Sequence, residues 1–266
     1  MKKLFYLLFV LSSFVQAQVY EVKLELQHHT KYTPEYIEKF FGNIKDVEAR
    51  KWNIEQNENP KPLDYLIYSS EKEYNSIEQE KIDNAQDTKG GLKKSVAGLP
   101  FGLTYSDFNT NENYREVDVY GKKYIVKNPI EKLTWELTNE TKEILGYKVH
   151  KAKSKYKAGQ MVYDVEAWFT KDIDFKFMPI AVQPLDGFVL EMNLFMEIPE
   201  VGRMDNFIRV QNIKPNVKNY KFKNPLKADK KSKLQIISPQ ELSDIYDEAN
   251  RKRNEMFNQE SSIDKK

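Results

Sequence analysis

The sequence predicts a mainly β protein, built as a curved antiparallel sheet or partly open barrel with a short N-terminal helix and a C-terminal helix. Two observations carry this prediction. Apolar and polar residues alternate in eight short segments, as in strands that bury one face. Apolar residues at helical spacing behind helix-capping residues occur at two places only. Many short strands with few helical crossovers favour an antiparallel sheet.

Residues 1–17 have the pattern of a secretory signal peptide. Lys2 and Lys3 precede an apolar run over residues 4–11, and small residues around Ala17 form a cleavage site. The apolar run is much shorter than the roughly 20 residues that a transmembrane helix needs. We therefore expect cleavage after Ala17, export to the periplasm or cell envelope, and no transmembrane segment in the mature chain.

The first strand pattern, residues 20–27, alternates without a fault and places Tyr20, Val22, Leu24 and Leu26 on one face. A turn at Tyr120-Gly121-Lys122 can join two of the later segments as a hairpin. The remaining strand patterns span residues 63–69, 114–120, 123–127, 147–152, 161–169, 188–198 and 207–213. Residues 71–95 are polar and predict a long loop or a short helix.

Two segments predict helices. Thr33 and Pro34 supply an N-cap and a first-turn proline, an apolar face follows, and Gly42 can end that helix. Ser238 and Glu241 form a capping box for a second helix over residues 238–259. Its apolar residues, at helical spacing, are Leu242, Ile245, Tyr246 and Ala249. We expect the second helix to pack back on the sheet.

These patterns divide the chain into a signal peptide (1–17), a β domain (18–213), a Lys-rich connector (214–237), the C-terminal helix (238–259) and a tail (260–266). Residues 214–233 hold eight lysines and two prolines. Such a segment is either a solvated connector or a surface for anionic head groups.

Composition excludes several kinds of site. The chain contains no cysteine, so disulfides, thiolate metal sites and a cysteine nucleophile are absent. The net charge of +2 comes from Lys2 and Lys3, and the remaining chain has equal numbers of basic and acidic residues. A balanced chain shows no general electrostatic footprint for nucleic acid. No phosphate-binding loop or zinc spacing occurs, so we predict no cofactor.

Three stretches occur in a distinctive order: WELTNETKEILGYKVHKA (135–152), AWFT (167–170) and FMPIAVQPLDGFVL (177–190). This order resembles the GLPGLI family of Bacteroidetes cell-envelope proteins. Residues 184–189 stand in degenerate form where the family has its name motif, whereas GLPFGL at 98–103 lies in the wrong order and predicts a loop. The resemblance implies a structural role for Trp135, Gly146, Tyr147, Ala167, Trp168, Thr170, Pro179, Leu185, Gly187 and Val189.

Candidate catalytic residues are few. Asp164, Glu166 and Trp168 share one face of a strand, where neighbouring side chains emerge about 6.6 to 7 Å apart. That separation fits an inverting glycosidase pair beside a sugar-stacking ring, although a solvated strand face explains the same pattern. His28 and His29 are adjacent on a strand and point to opposite faces, so they cannot share one metal ion.

The sequence therefore predicts an exported, non-enzymatic cell-envelope protein without catalytic, cofactor or metal sites, which binds an unknown ligand or envelope protein through its curved sheet. Two alternatives stay open. One is an accessory interaction protein that assists an outer-membrane transporter through a sheet edge. The other is a glycoside hydrolase-like enzyme.

Overall fold

The structure, a computed structural model, describes residues 18–79, 94, 96, 98–159, 161–227 and 234–263. The expected signal peptide therefore lies outside the described residues, as do most of the predicted loop after residue 79 and the end of the tail. Twelve strands and three helices form the described chain: β1 (Tyr20–Tyr32), α1 (Pro34–Phe41), α2 (Val47–Glu58), β2 (Leu63–Ser69), β3 (Glu73–Gln79), β4 (Leu103–Asp107), β5 (Glu112–Val119), β6 (Lys122–Pro129), β7 (Glu136–Ile144), β8 (Tyr147–Ala158), β9 (Met161–Thr170), β10 (Phe188–Ile198), β11 (Gly202–Lys214), β12 (Gln235–Ile237) and α3 (Pro239–Ile263).

All of these strands form one sheet, in the order β12-β6-β5-β4-β3-β2-β1-β11-β10-β9-β8-β7. Each neighbouring pair is antiparallel except β12 and β6, which run parallel. Within the described residues β12 and β7 end the sheet, so it is open rather than closed into a barrel. The predicted fold class, mainly β with an antiparallel open sheet, is confirmed.

The N-terminal strand β1 lies in the interior of this sheet, between β2 and β11. Its residues alternate between a buried and a more exposed face, because successive strand side chains point to opposite faces. Tyr20, Val22, Leu24 and Leu26 are all buried on what we call the core face. The alternation that predicted this strand from sequence is therefore the alternation that builds the core.

Residues 171–187, between β9 and β10, form a crossing segment that packs on the core face of the sheet. Phe177, Ile180 and Val182 are almost completely buried within it. Its backbone is held by remote parts of the chain: the Tyr74 hydroxyl donates to the Pro179 carbonyl at 3.0 Å. The apolar residues of this segment are therefore part of the core.

Two further hydrogen bonds fix the crossing segment. The Ala181 N–H donates to the Gly98 carbonyl at 3.1 Å, and the Gln183 N–H donates to the Glu131 carbonyl at 2.8 Å. Loop 98–102, expected from sequence to serve backbone turns, takes positive φ at Gly98 and Gly102. The crossing segment therefore connects the β8–β11 side of the core to the β3–β6 side.

Helix α3 packs on the core face at the β6 end of the sheet. The Ser238 capping box forms as predicted, because the Glu241 N–H donates to Ser238 Oγ and Glu241 Oε2 accepts from the Ser238 N–H. Leu242 and Ile237 are buried there against Val126 and its neighbours. No helix in the described part of the chain is both long and apolar enough to cross a membrane.

Several elements of the structure were not predicted from the sequence. Helix α2 and strands β3, β4, β7 and β12 were not predicted, and β3 occupies a region that was expected to be loop or helix. Part of the Lys-rich connector is also not solvated: Tyr220 stacks on Tyr68 with ring centroids 3.6 Å apart. Asn75, fully buried on the outer face, accepts from Tyr220 and exchanges hydrogen bonds with the Lys223 backbone. The connector is therefore clamped to the sheet up to that point.

Candidate functional site

The ten residues to which the family resemblance gave a structural role lie on the β7–β10 side of the sheet. Gly146 takes φ 79° in the two-residue turn between β7 and β8, after Leu145 at φ 52°. Positive φ at both central positions is the geometry that a tight hairpin needs, and glycine adopts it without strain. Tyr147 begins β8 and, like Trp135 just before β7, packs against the core as a partly buried residue.

The residues of this set from Ala167 onward lie in and around the crossing segment. Ala167, Thr170, Leu185 and Val189 are buried, and the Pro179 carbonyl accepts the Tyr74 hydrogen bond. Gly187 lies where β10 begins, and its carbonyl accepts from the Phe177 N–H at 3.1 Å. These residues hold strands and turns in place, and of the whole set Trp135 and Leu185 line one common cavity of about 740 Å³.

Asp164, Glu166 and Trp168 do share one face of β9, opposite the buried Val165 and Phe169. Both carboxylates are occupied by lysines: Asp164 pairs with Lys155 at 2.9 Å, and Glu166 pairs with Lys151 at 3.0 Å. Both carboxylates are therefore engaged by cations of the protein itself.

The Trp168 ring is also covered. The Lys142 ammonium lies 4.3 Å from the ring centroid and the Lys151 ammonium 5.5 Å from it. Glu191 in turn binds Lys142 at 2.6 Å. Cations above an indole ring are an internal stabilising contact that leaves little open ring surface for a sugar to stack on.

The histidines at 28 and 29 point apart, as expected. His28 is buried on the core face, where its ring nitrogens lie 2.8 Å from Asn206 Oδ1 and 2.8 Å from Thr30 Oγ1. His29 instead contacts Asn59. Burial lowers the pKa of His28, which favours the neutral ring. No group of three potential metal ligands occurs in the part of the chain that is described.

A cavity of about 390 Å³ lies on the core face, between strands β4–β6 and the far end of the β8–β9 hairpin. Its floor is polar, and the four floor residues are Thr104, Asn113, Arg115 and Asn128. Its walls come from Tyr156 to Gly159 of the hairpin, from the Gly98 loop, from Ala181 of the crossing segment and from Pro239 at the start of α3. We call this the polar cavity.

The floor of the polar cavity contains groups without partners. Thr104 Oγ1 and Asn128 Oδ1 are buried and accept no hydrogen bond from any described residue. Arg115 is half-buried, and in the described chain no carboxylate forms an ion pair with it. Burial of the guanidinium lowers the pKa of Arg115. Buried polar groups without protein partners cost free energy unless a polar ligand or water pairs with them.

One acid stands at the mouth of the polar cavity. Partial burial raises the pKa of the exposed Glu131 carboxyl, although Lys157 opposes that effect. Burial also raises the pKa of the neighbouring Tyr156 hydroxyl to about 12, with the Glu131 charge as a smaller cause. Glu131 is the only carboxylate among the lining residues that the structure describes. The cavity therefore offers one acid with a raised pKa and several hydrogen-bonding groups, but not a pair of carboxylates.

Sequence reasoning missed this cavity because its floor residues come from three strands, β4, β5 and β6, whose pairing the sequence does not reveal. A signal was nevertheless present. In β4, β5 and β6 several core-facing positions carry polar residues, namely Thr104, Asn113, Arg115 and Asn128, whereas residues 20–26 of β1 carry only aliphatic or aromatic residues at such positions. Polar residues at the inward-facing positions of neighbouring strands indicate that this face borders a polar space rather than a packed core.

Comparison with known families gave one match. A model described as "N-glycanase peptide, N-terminal domain" matches residues 53–220, which is more than half of the chain. This finding overturns the resemblance to the GLPGLI family. It also overturns the expectation of a non-enzymatic envelope protein, because the matched family is named for an N-glycanase, and it favours the hydrolase-like alternative.

Two crystal structures of PNGF-II, in space groups C2 and P21, are similar in fold over 86% of this chain. Their sequence identities to it are 14% and 16%, and the TM-scores are 0.48 and 0.45. The chain spans about a third of the length of each of those structures, 33%. Because both TM-scores are below 0.5, the assignment of this chain to a family rests on the family model alone. A comparison with curated proteins gave no match.

Proposed function

Because this chain belongs to the family of N-glycanase N-terminal domains, we propose that it acts in the enzymatic cleavage of N-glycans and that the polar cavity binds the carbohydrate. The observation that carries the proposal is the polar floor of a cavity on a largely apolar core face. Sugars present many hydroxyl groups, and side chains such as Thr104, Asn113 and Asn128 pair with hydroxyls as donors or acceptors.

Glu131 is the residue that we assign to proton transfer. A carboxyl with a raised pKa keeps its proton closer to neutral pH and can donate it to a departing group. Most glycoside hydrolases use two carboxylates, and the described lining of this cavity holds one. The cavity thus supplies an acid and a binding surface, and the ion-paired Asp164 and Glu166 on the outer face take no part.

The test is release of glycans from a glycoprotein, followed by mass spectrometry of the free glycans, together with glycan binding measured by calorimetry. We expect the native chain to bind and release N-glycans. Glu131→Gln, which keeps the size of the side chain but cannot donate a carboxyl proton, should lower release by about 100-fold or more while binding persists.

The matched control is Glu136→Gln. Glu136 is also exposed, lies at the start of β7 and does not line the polar cavity. The Glu136→Gln variant loses the same charge as Glu131→Gln, and it should release glycans at the native rate. Release that is unchanged in Glu131→Gln, or a native chain that neither binds nor releases N-glycans, would overturn the proposal.

The proposal includes export. The pattern over residues 1–17 favours a periplasmic or cell-envelope location for a β domain that starts after Ala17. N-terminal sequencing of the natively expressed protein checks this: we expect the mature chain to begin at Gln18. Recovery of chains that retain Met1, found only in the cytoplasm, would contradict it.

A further inference from the structure

The most unusual charged group of the molecule is the Arg115 guanidinium in the floor of the polar cavity. Most other arginines described have carboxylate partners, for example Arg203 with Asp205 at 2.8 Å and Arg251 with Glu255 at 2.7 Å. Arg115 is half-buried and has no such partner in the described chain. A partly desolvated cation without a counter-ion is costly unless a ligand supplies the negative charge.

The charges around Arg115 do not neutralise it. Lys157 also lines the cavity, and Glu131 at the mouth is the single acid among the described lining residues. Two cations therefore face one carboxylate. The floor is left with net positive charge.

The neighbours of Arg115 point to a ligand with both charge and hydroxyl groups. Thr104 Oγ1 and Asn128 Oδ1, unpartnered within the described structure, lie in the same floor. Thr104 pairs with Arg115 across β4 and β5, and Asn128 lies two residues beyond Val126, which pairs with Arg115 across β5 and β6. An arginine presents five N–H donors in a planar fork that matches a carboxylate in bidentate geometry. The hydroxyl and amide groups beside it fit the hydroxyls of a sugar ring.

We infer that the polar cavity selects an acidic sugar, with Arg115 binding the carboxylate of that sugar and Thr104 and Asn128 binding its hydroxyls. This inference rests on the proposed function, because it names the class of glycan that the same cavity takes. It adds a specificity: glycans that end in a carboxylate-bearing sugar bind better than their neutral counterparts.

The experiment compares one N-glycan in three forms: with terminal sialic acid, with the sialic acid carboxyl converted to its methyl ester, and after removal of sialic acid. Binding of each form to the native chain is measured by calorimetry. We expect the free acid to bind at least about tenfold more tightly than the other two, which is the contribution of a charge-assisted hydrogen bond. The ester arm tests the charge without any change in the protein.

Variants then locate the effect. Arg115→Gln should reduce the preference for the acid to less than about threefold, whereas Arg115→Lys, which keeps a charge without the planar fork, should keep part of it. The matched control is Arg209→Gln, because Arg209 is exposed on the outer face of β11 and does not line the cavity. Arg209→Gln should keep the full preference. Circular dichroism confirms that each variant is folded, and the ester comparison stands if Arg115→Gln does not fold.

The outcomes separate this inference from the proposed function. Equal binding of all three glycan forms, or an unchanged acid preference in Arg115→Gln, would overturn the role of Arg115 and leave carbohydrate binding intact. Failure of the native chain to bind any of the three forms would overturn the proposed function and this inference together. A preference that disappears with the ester and with Arg115→Gln supports both.

Discussion

Gly187 lies directly against the ring of Phe169, so that a Cβ added at Gly187 would stand 2.6 Å from Phe169 Cδ2 and 2.7 Å from the Thr170 carbonyl oxygen. The φ angle of Gly187 is outside the left-handed range, which means that close approach, and not backbone conformation, excludes a side chain here. We predict that Gly187→Val lowers the free energy of unfolding by more than about 1 kcal/mol, as expected for overpacking of a core. Urea unfolding measures the change.

A double-mutant cycle checks the cause. Phe169→Leu makes room beside Gly187, so Gly187→Ala should cost less in that background than in the native one. Equal costs in the two backgrounds would show that the Phe169 ring does not set the requirement for glycine.

The two faces of β9 should differ strongly in their energetic weight. Phe169 is 3% exposed, and Phe169→Ala removes a ring from the packed core, at a cost of about 3 to 5 kcal/mol. Glu166 forms partly exposed ion pairs with Lys151 and Lys153, so Glu166→Ala should cost less than about 1 kcal/mol. Denaturant unfolding of both variants tests which face of β9 points to the core. Similar losses of the free energy of unfolding in the two variants would show that the assignment of the faces is wrong.

Stability should fall as the pH drops below about 6.5 because of His28, whose unfolded-state pKa is near that value. Burial lowers the pKa of His28 in the folded state, and the nearby Lys94 and His29 act in the same direction, whereas Asn206 and Asp205 oppose it. The unfolded chain therefore binds the proton more readily, and the stability that is complete above pH 6.5 is lost as the pH falls toward the lowered folded-state pKa.

Chemical unfolding at pH 7.5 and pH 5.5 measures this loss, and His28→Gln should reduce it. His150→Gln is the control, because His150 is exposed on the opposite face of β8 from the buried Val149. If the pH dependence is the same in His28→Gln as in the native chain, His28 is not its source.

The outer-face carboxylates should be dispensable for activity. Asp164 and Glu166 are bound by lysines and stand away from the polar cavity. The double variant Asp164→Asn, Glu166→Gln should bind and release glycans as the native chain does. A folded double variant that has lost release would move the chemistry from Glu131 to β9.

Much of the fold was predictable because one-sided burial leaves a direct trace in the sequence. Apolar and polar residues alternate in β1, β2, β9 and β10. The capping residues Thr33 and Ser238 predict the starts of α1 and α3. The missed elements lack these traces. β7 is exposed at most positions, and α2 has no buried residue, so neither carries an apolar stripe.

The polar cavity was not predictable for a different reason. Arg115 and Glu131 lie far from Tyr156 in sequence, and they line one cavity because the end of the β8–β9 hairpin lies against β4–β6. Alternation identifies which face of a strand points inward. It does not identify which remote element covers that face, and the chemistry of this cavity depends on that cover.

The interior position of β1 has a consequence for how the chain acquires its structure. Strands β1 to β6 are consecutive neighbours and can pair as they are synthesised, but the second edge of β1 waits for β11, whose paired residues lie far along the chain. Until then Val22 and Leu24 border an unpaired edge, which is the kind of surface on which chains aggregate.

We expect refolding kinetics to reflect this order of strand pairing. Ile67→Ala in β2 should slow folding, whereas Ile208→Ala in β11 should mainly speed unfolding. Stopped-flow measurements that show the reverse would place the nucleus at the β1–β11 pair.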